Sequence, residues 1–204
     1  MTRKPLLWLV ANRASASNDQ ETLEKLIDTL GEAGCAADRV LDIQTDSLPT
    51  PADLDGCNVG TLAVFAGDGT VNAVVTGLEG WAGQVLVLPG GTKNLLAREL
   101  HGEDSSAEIV ARFAARTLTA VQRPAMRCSA GTALVEMVAG PGATWADVRE
   151  EMRDGSLGDI ASTAIDAAKD TLAGPQILID QPAGGRGDGY SGVRLSLADA
   201  GMAV

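Results

Sequence analysis

Cysteine and histidine, from which disulfide frameworks and many metal sites are built, are scarce in this sequence. The 204 residues include three cysteines, Cys35, Cys57 and Cys128, and a single histidine, His101. Because the cysteines are odd in number and lack metal-ligand spacing, the sequence favours neither disulfide bonds nor a zinc site. We therefore expect a protein of the reducing cytoplasm.

Long hydrophobic runs are missing as well. The apolar stretch at residues 6–11, behind a short basic start, has only six residues. A signal peptide needs an apolar stretch of about 7–15 residues, and a membrane-spanning helix needs about 20. We therefore expect neither a secretion signal nor a transmembrane segment.

Positive charge is also in short supply. Sixteen Lys and Arg residues stand against 27 Asp and Glu residues, which gives a net charge of −11. The imbalance holds along the chain, with 10 basic and 16 acidic side chains in residues 1–125 and 6 and 11 in residues 126–204. A field of this sign repels nucleic-acid backbones and anionic lipid headgroups, so we expect no nucleic-acid partner.

The first hundred residues alternate between strand-like and helix-like segments. Continuous apolar runs predict buried parallel strands at residues 6–11, 40–43, 61–65 and 85–88. Apolar residues spaced three and four apart predict helices at residues 23–30, 71–78, 94–100 and 106–118, with a loop at 45–51. This order predicts an α/β fold, a parallel sheet with helices on both faces.

The rhythm changes after Pro124. Strands are predicted at residues 132–138, 177–179 and 193–197, helices at 145–152 and 160–172, and a glycine-rich loop at 181–190. We expect a domain boundary near residues 123–127, with a domain over residues 1–125 followed by a smaller, β-rich α+β domain over residues 126–204. The second domain looks incomplete, because no closing helix follows its last strand.

Two glycine-rich turns follow neighbouring predicted strands, Gly67–Thr70 and Pro89–Asn94. Glycines let a backbone approach a phosphate, and the helix that starts after such a turn offers free N–H groups and partial positive charge. A third polar turn begins at Asn12, at the same expected edge of the sheet. Neither glycine turn is a Walker A or Gly-x-Gly-x-x-Gly sequence, which disfavours ordinary P-loop enzymes and dinucleotide dehydrogenases.

Asp68 is the anomaly in the first turn, since a bare carboxylate repels phosphate. It can hold Mg²⁺ or accept a proton from an attacking hydroxyl. The alternative is an aspartate that simply caps a helix. The tetrapeptide alone leaves both open.

The two turns resemble the catalytic-domain signatures of the diacylglycerol kinase and sphingosine kinase superfamily, which includes bacterial lipid kinases. Residues 64–75 read Val-Phe-Ala-Gly-Asp-Gly-Thr-Val-Asn-Ala-Val-Val, and residues 88–98 read Leu-Pro-Gly-Gly-Thr-Lys-Asn-Leu-Leu-Ala-Arg. The family patterns are Gly-Gly-Asp-Gly-Thr-x-Asn-Glu and Leu-Pro-x-Gly-Thr-x-Asn-Asp-x-Ala-Arg. Both occur here in the same order, and the resemblance covers about residues 5–125.

The resemblance implies an ATP- and Mg²⁺-dependent lipid kinase. The domain at residues 1–125 would bind ATP, and the domain at residues 126–204 would form the acceptor side. A lipid hydroxyl, on diacylglycerol or a sphingoid base, would attack the γ-phosphate. The lipid acceptor would be met at a membrane surface, at the inner face of the membrane, and a homodimer stays open. The resemblance assigns catalysis to Asp68 and ATP contacts to Asn12, Thr45, Gly67, Asp68, Gly69, Thr70, Val71, Asn72, Ala73, Gly90, Gly91, Thr92 and Asn94.

The sequence departs from the family pattern at several positions. Ala66 replaces the first glycine, Ala73 replaces a glutamate, Leu95 replaces an aspartate, and Arg13 replaces the proline after Asn12. The late Asp-Gly-Glu motif, which supplies the base proposed for bacterial lipid kinases, is missing. Two alternatives therefore stay open: a catalytically weak or inactive nucleotide-binding regulatory protein, and a kinase that acts on a soluble acceptor.

Overall fold

The computed structural model describes residues 5–12, 20–141, 176–179 and 186–197. The predicted helices at 145–152 and 160–172, and the first half of the predicted loop at 181–190, lie outside the described residues. The chain divides into two compact units, Met1–Leu134 and Val135–Val204. The domain boundary expected near residues 123–127, with domains over residues 1–125 and 126–204, stays a prediction.

The first unit contains a four-stranded sheet made of the predicted strands. These are β1 (Leu6–Ala11), β2 (Arg39–Asp42), β3 (Val59–Ala66) and β4 (Gln84–Pro89). All neighbours are parallel, in the order β2-β1-β3-β4. The central strands β1 and β3 are mostly apolar because both of their faces are covered, and the predicted α/β fold is confirmed.

Five helices accompany this sheet: α1 (Gln20–Glu32), α2 (Pro51–Gly56), α3 (Asp68–Gly77), α4 (Leu95–His101) and α5 (Ser106–Ala114). Helices α1 and α5 pack on one face, where Leu23 and Ile109 join Leu9 in a buried cluster. Helices α2 and α3 contact β3 and bury Leu54 and Val71 outside that cluster. The sheet therefore has helices on both faces, as the alternating pattern predicts.

The sequence pattern does not predict helix α2, since it indicates only a loop at residues 45–51 before the next strand. The helix starts with Pro51 and is stabilised by a capping box, in which the Thr50 hydroxyl accepts from the Asp53 N–H and the Asp53 carboxylate accepts from the Thr50 N–H. Only Leu54 of its six residues is buried. A helix this short shows too little periodicity to be detected from apolar spacing.

The last part of the first unit is an antiparallel hairpin, β5 (Met126–Cys128) with β6 (Gly131–Ala133). In the second unit, β7 (Glu136–Ala139) pairs antiparallel with β8 (Val193–Ser196), and Ile177 forms a single bridge with Tyr190. The strand predicted over residues 132–138 is therefore wrong in one respect, because residues 134 and 135 interrupt it. The strand predicted over residues 177–179 is also wrong, since only the single bridge at Ile177 forms there. None of the described helices has the length and hydrophobicity that a bilayer span requires.

Candidate functional site

The candidate site lies where the parallel strands end. Strand pairing places Ala11 beside Phe65 and Ala66 beside Pro89. Asn12, which follows β1, and the glycine turns that follow β3 and β4 therefore start side by side at one edge of the sheet. This is the arrangement that the order of the strands predicts for the two glycine-rich turns.

Glycines hold these two turns in direct backbone contact. A Cβ atom on Gly91 would lie 2.4 Å from the Cα atom of Gly67, and a Cβ on Gly90 would lie 2.6 Å from the Ala66 nitrogen. Both distances are far below a van der Waals contact, so no other residue fits at either position without a shift of the backbone. The turns after β3 and β4 thus form one surface rather than two separate loops.

The start of α3 is open to an anion. Gly67 precedes the helix and has no side chain to cap it, and the first helical hydrogen bond joins the Val71 N–H to the Gly67 carbonyl at 3.0 Å. The N–H groups of residues 68–70 therefore have no acceptor within the helix. Together with the positive end of the helix dipole, they form a backbone site suited to phosphate.

At the start of α4, in contrast, side chains already occupy main-chain groups. Asn94 has a left-handed backbone with φ of 52°, and its carboxamide bonds back to both the N–H and the carbonyl of Gly91 at 2.7 Å. The Leu96 N–H donates to the Asp68 carboxylate at 3.4 Å, which is long for a hydrogen bond. Asp68 therefore caps α4, the neighbouring helix, rather than the helix in which it stands.

Asn12, at the end of β1, connects the first strand to α3. Its Nδ2 atom donates to the Thr70 hydroxyl oxygen at 3.3 Å, and its Oδ1 atom accepts from Gln44 Nε2 at 3.0 Å. Since Thr70 receives a hydrogen bond from Asn12, its own hydroxyl proton is available to donate elsewhere. Sequence reasoning missed Gln44, and its position directly after β2, beside Thr45, is the only signal that could have found it.

The other residues predicted to contact ATP differ in how exposed their side chains are. The side chain of Thr45 is exposed, with its hydroxyl donating locally to the Asp42 carbonyl at 3.4 Å. Val71 is 3% exposed, so its side chain belongs to the core. Ala73 and Thr92 are exposed, and Thr92 lies in the second glycine turn. The structure brings together the main chain of the two turns, Thr70 and Asn12.

The Asn72 side chain bonds to the main chain at the end of β6. Its Nδ2 atom donates to the Thr132 carbonyl at 2.9 Å, and its Oδ1 atom accepts from the Leu134 N–H at 3.1 Å. The nitrogen and the oxygen of the carboxamide are therefore both engaged with main-chain groups. No signal in the sequence links residues 72 and 134.

Metal ligands are sparse at this site. Across residues 5–12, 20–141, 176–179 and 186–197, no three His, Cys, Asp or Glu side chains are grouped so that they could hold a metal ion. Asp68 is the carboxylate that stands within the first glycine turn. A cation here would need ligands from a bound phosphate as well, which is how Mg²⁺ usually binds beside nucleotides.

Comparison with known proteins identifies the family of the first unit. The family model of the diacylglycerol kinase catalytic domain matches residues 6–123. No curated protein matches the chain in sequence.

Solved structures from Bacillus anthracis str. Sterne have a similar fold. One, of a diacylglycerol kinase, has a TM-score of 0.55 and 22% identity, covering 80% of this chain and 55% of its own. Another, provisionally described as a diacylglycerol kinase, has a TM-score of 0.53 and 22% identity, covering 71% of this chain and 54% of its own. The chain thus spans about half the length of these structures, and at this identity the likeness concerns the fold alone.

Proposed function

The chain belongs to the diacylglycerol kinase catalytic-domain family, and from this premise we propose that it binds ATP and transfers the γ-phosphate to a lipid hydroxyl. The observation that carries the proposal is the contact between Gly67 and Gly91, which joins two glycine turns at the open start of α3. A triphosphate needs such a surface of backbone N–H groups, approached without interference from side chains.

In this proposal the phosphates of ATP lie along the two joined turns. The free N–H groups of residues 68–70 and the Thr70 hydroxyl would donate to phosphate oxygens. Gly67, Gly90 and Gly91 would keep the approach open, with Thr92 as a further donor from the second turn. Asn12 would act through Thr70, and Asn94 would maintain the second turn through its bonds to Gly91.

Asp68 has two roles in this proposal, one in holding the turns together and one in the reaction. One of its oxygens caps α4 and so ties the two turns together. The carboxylate stands in the first turn and fits the role of a ligand for a nucleotide-bound divalent cation or of an acceptor for the proton of the attacking hydroxyl. A bound Mg²⁺ ion would neutralise charge on the phosphate oxygens, which a protein of net charge −11 cannot do through its overall field.

The acceptor in the proposal is a lipid hydroxyl, on diacylglycerol or a related lipid, reached at a membrane surface. A nucleotide-binding protein without transfer is the second candidate, since Ala73 is exposed where the family pattern has a glutamate and Asp68 already has a structural bond. Phosphorylation of a soluble acceptor is the third.

Asp68→Asn and Asp68→Ala separate these roles. Asparagine keeps an oxygen that can accept from the Leu96 N–H, whereas alanine removes both the cap and the charge. We expect Asp68→Asn to bind an ATP analogue and keep the wild-type unfolding midpoint but to lose transfer of radiolabelled γ-phosphate to diacylglycerol by about 100-fold or more. Asp68→Ala should lose stability as well.

Two other results would redirect the assignment. Binding of ATP by the wild-type chain without transfer to any lipid or soluble acceptor would favour the regulatory protein. Transfer to water-soluble acceptors alone would favour the third candidate. Failure of the wild-type chain to bind ATP in the presence of Mg²⁺ would exclude all three.

A further inference from the structure

Leu134, where the first unit ends, is held by side chains from two other segments. Its N–H donates to Asn72 Oδ1 at 3.1 Å, and its carbonyl accepts from Arg123 Nε at 3.0 Å. The side chain of Leu134 is 5% exposed. Because the residue lies in the gap between β6 and β7, these two side chains supply the partners that a strand would otherwise provide.

The same two side chains connect the hairpin to both helices of the candidate site. Asn72 belongs to α3 and also donates to the Thr132 carbonyl at 2.9 Å, within β6. Arg123 forms an ion pair with Glu99 of α4, and both side chains are partly buried. The hairpin is thus attached to the two helices that begin at the glycine turns.

We infer that Asn72 is a positioning residue and not a nucleotide ligand. It docks the β5–β6 hairpin on α3. This contact fixes the position of Leu134, where the first unit ends, relative to the glycine turns. Arg123 completes the attachment from α4. The inference rests on the proposed function, since it assumes that phosphate binds at the turns. It also changes the role that the sequence motif assigned to Asn72.

The hydrogen bonds explain why a role in ATP binding does not suit this side chain. The carboxamide would have to release the Thr132 carbonyl and the Leu134 N–H in order to face a phosphate. Leu134 is buried, and an unpaired N–H at this place costs free energy that a phosphate contact would have to offset. ATP affinity should therefore not depend on Asn72. Transfer to the acceptor should depend on it, because residues 126–204, which begin with this hairpin, are expected to form the acceptor side.

The test uses the full chain with Asn72→Ala, Asn72→Asp and the control Arg127→Gln. Arg127 reaches the end of α3 through an exposed ion pair with Glu79, which contributes little to docking. Three quantities are measured for each variant: the Kd of a nonhydrolysable ATP analogue with Mg²⁺, the kcat and KM for transfer to diacylglycerol, and hydrogen exchange at the Leu134 amide.

For Asn72→Ala we expect a Kd within about twofold of wild type, a kcat lowered about tenfold or more, and Leu134 exchange about tenfold faster, as the loss of a hydrogen bond implies. Asn72→Asp retains the acceptor for the Leu134 N–H but loses the donor to Thr132. It should keep most of the protection at Leu134 and lie between wild type and Asn72→Ala in kcat. Arg127→Gln should match wild type in all three.

A loss of ATP affinity in Asn72→Ala as large as that in Thr70→Val, with unchanged exchange at Leu134, would make Asn72 a nucleotide ligand and overturn the inference. Unchanged kcat and unchanged exchange would overturn it equally. If the wild-type chain bound no ATP, the proposed function would fail and take the catalytic consequence with it. The exchange measurement would then still show whether Asn72 docks the hairpin.

Discussion

At the scale of single residues, the orientation of one amide decides what the Thr70 hydroxyl can do. Asn12 can donate to Thr70 only while its oxygen faces Gln44, which donates to that oxygen at 3.0 Å. Gln44 thereby fixes the orientation of the Asn12 carboxamide and leaves the Thr70 proton free for a ligand. The role of Thr70 depends on a residue outside any motif.

Gln44→Leu should therefore weaken binding of an ATP analogue about three- to tenfold, since one hydrogen bond that orients the site is lost. Combined with Thr70→Val, its effect should be less than additive, because both changes act on one donor. Calorimetric titration measures both effects. Gln20→Leu, which removes a pair with Glu24 on the surface of α1, is the control and should bind as wild type does. Full additivity would show that Gln44 acts independently of Thr70.

His101, the last residue of α4, gives the protein a pH dependence that is separate from the site. Both ring nitrogens are buried without a hydrogen-bond partner in the described part of the chain. Burial lowers the pKa of His101, and the charge of Arg112 adds to this effect. The main chain of Val87 and the negative charge of Asp104 raise the pKa of His101, but their combined effect is smaller.

Because the pKa of His101 is lower in the folded state, the unfolded chain binds a proton more readily. The contribution of a neutral His101 to stability is therefore complete above the unfolded pKa of about 6.5 and is lost as the pH falls through and below that value. Urea unfolding between pH 8 and pH 5 should show wild type losing more stability than His101→Phe. A difference between the two proteins that does not change with pH would contradict this assignment.

At the scale of elements, a single substitution can test whether the two glycine turns depend on their close contact. Gly91→Ala places a Cβ atom 2.4 Å from the Gly67 Cα, so the turns must separate. We expect the free energy of unfolding to fall by about 1–3 kcal/mol, the usual range for overpacking, and ATP-analogue affinity to fall with it. Denaturant unfolding and calorimetric titration measure the two effects.

Gly77→Ala is the matched control, because an added Cβ at Gly77 meets nothing within 4 Å. Alanine in place of a helical glycine should raise stability by up to about 1 kcal/mol and leave binding unchanged. If Gly91→Ala behaved in the same way, the turns would not depend on their close contact, and the proposed phosphate site would lose its main support.

The elements also show which parts of the fold a sequence can predict. The four parallel strands and the helices α1, α3, α4 and α5 have apolar patterns long enough to detect. In the structure, a capping box formed by Ser105 and Glu108 starts α5. Helix α2 and strand β5 are too short for such patterns. The interruption at Leu134 was unpredictable for a different reason: its main-chain partners are the side chains of Asn72 and Arg123, and apolar alternation carries no information about such distant bonds.

The candidate site was predictable to a similar extent. Motif spacing and strand order predict that the two glycine turns are neighbours, because the ends of parallel strands meet at one edge. They do not predict which groups remain free after folding. Asp68 caps α4 and Asn72 binds β6, whereas Gln44, which no motif contains, orients Asn12.

At the scale of the whole molecule, the balance of charge bears on how the proposed lipid kinase would meet its acceptor. The acidic excess extends over both parts of the chain, with 16 acidic and 10 basic side chains in residues 1–125 and 11 and 6 in residues 126–204. The proposed lipid kinase would, with this field, be repelled by anionic headgroups at distances within the Debye length, about 10 Å at 0.1 M salt. We therefore expect it to phosphorylate lipid faster on neutral membrane surfaces than on anionic ones.

Phosphorylation of diacylglycerol in phosphatidylcholine vesicles should be faster than in vesicles that also contain phosphatidylglycerol, and the difference should shrink as added salt shortens the screening length toward about 3 Å at 1 M. Initial rates of γ-phosphate transfer at several salt concentrations measure this. A short-chain diacylglycerol that is monomeric in water is the control, and its phosphorylation should not depend on vesicle charge. Faster transfer on anionic vesicles at low salt would mean that a local basic surface overrides the net charge of −11 and directs the protein to the membrane.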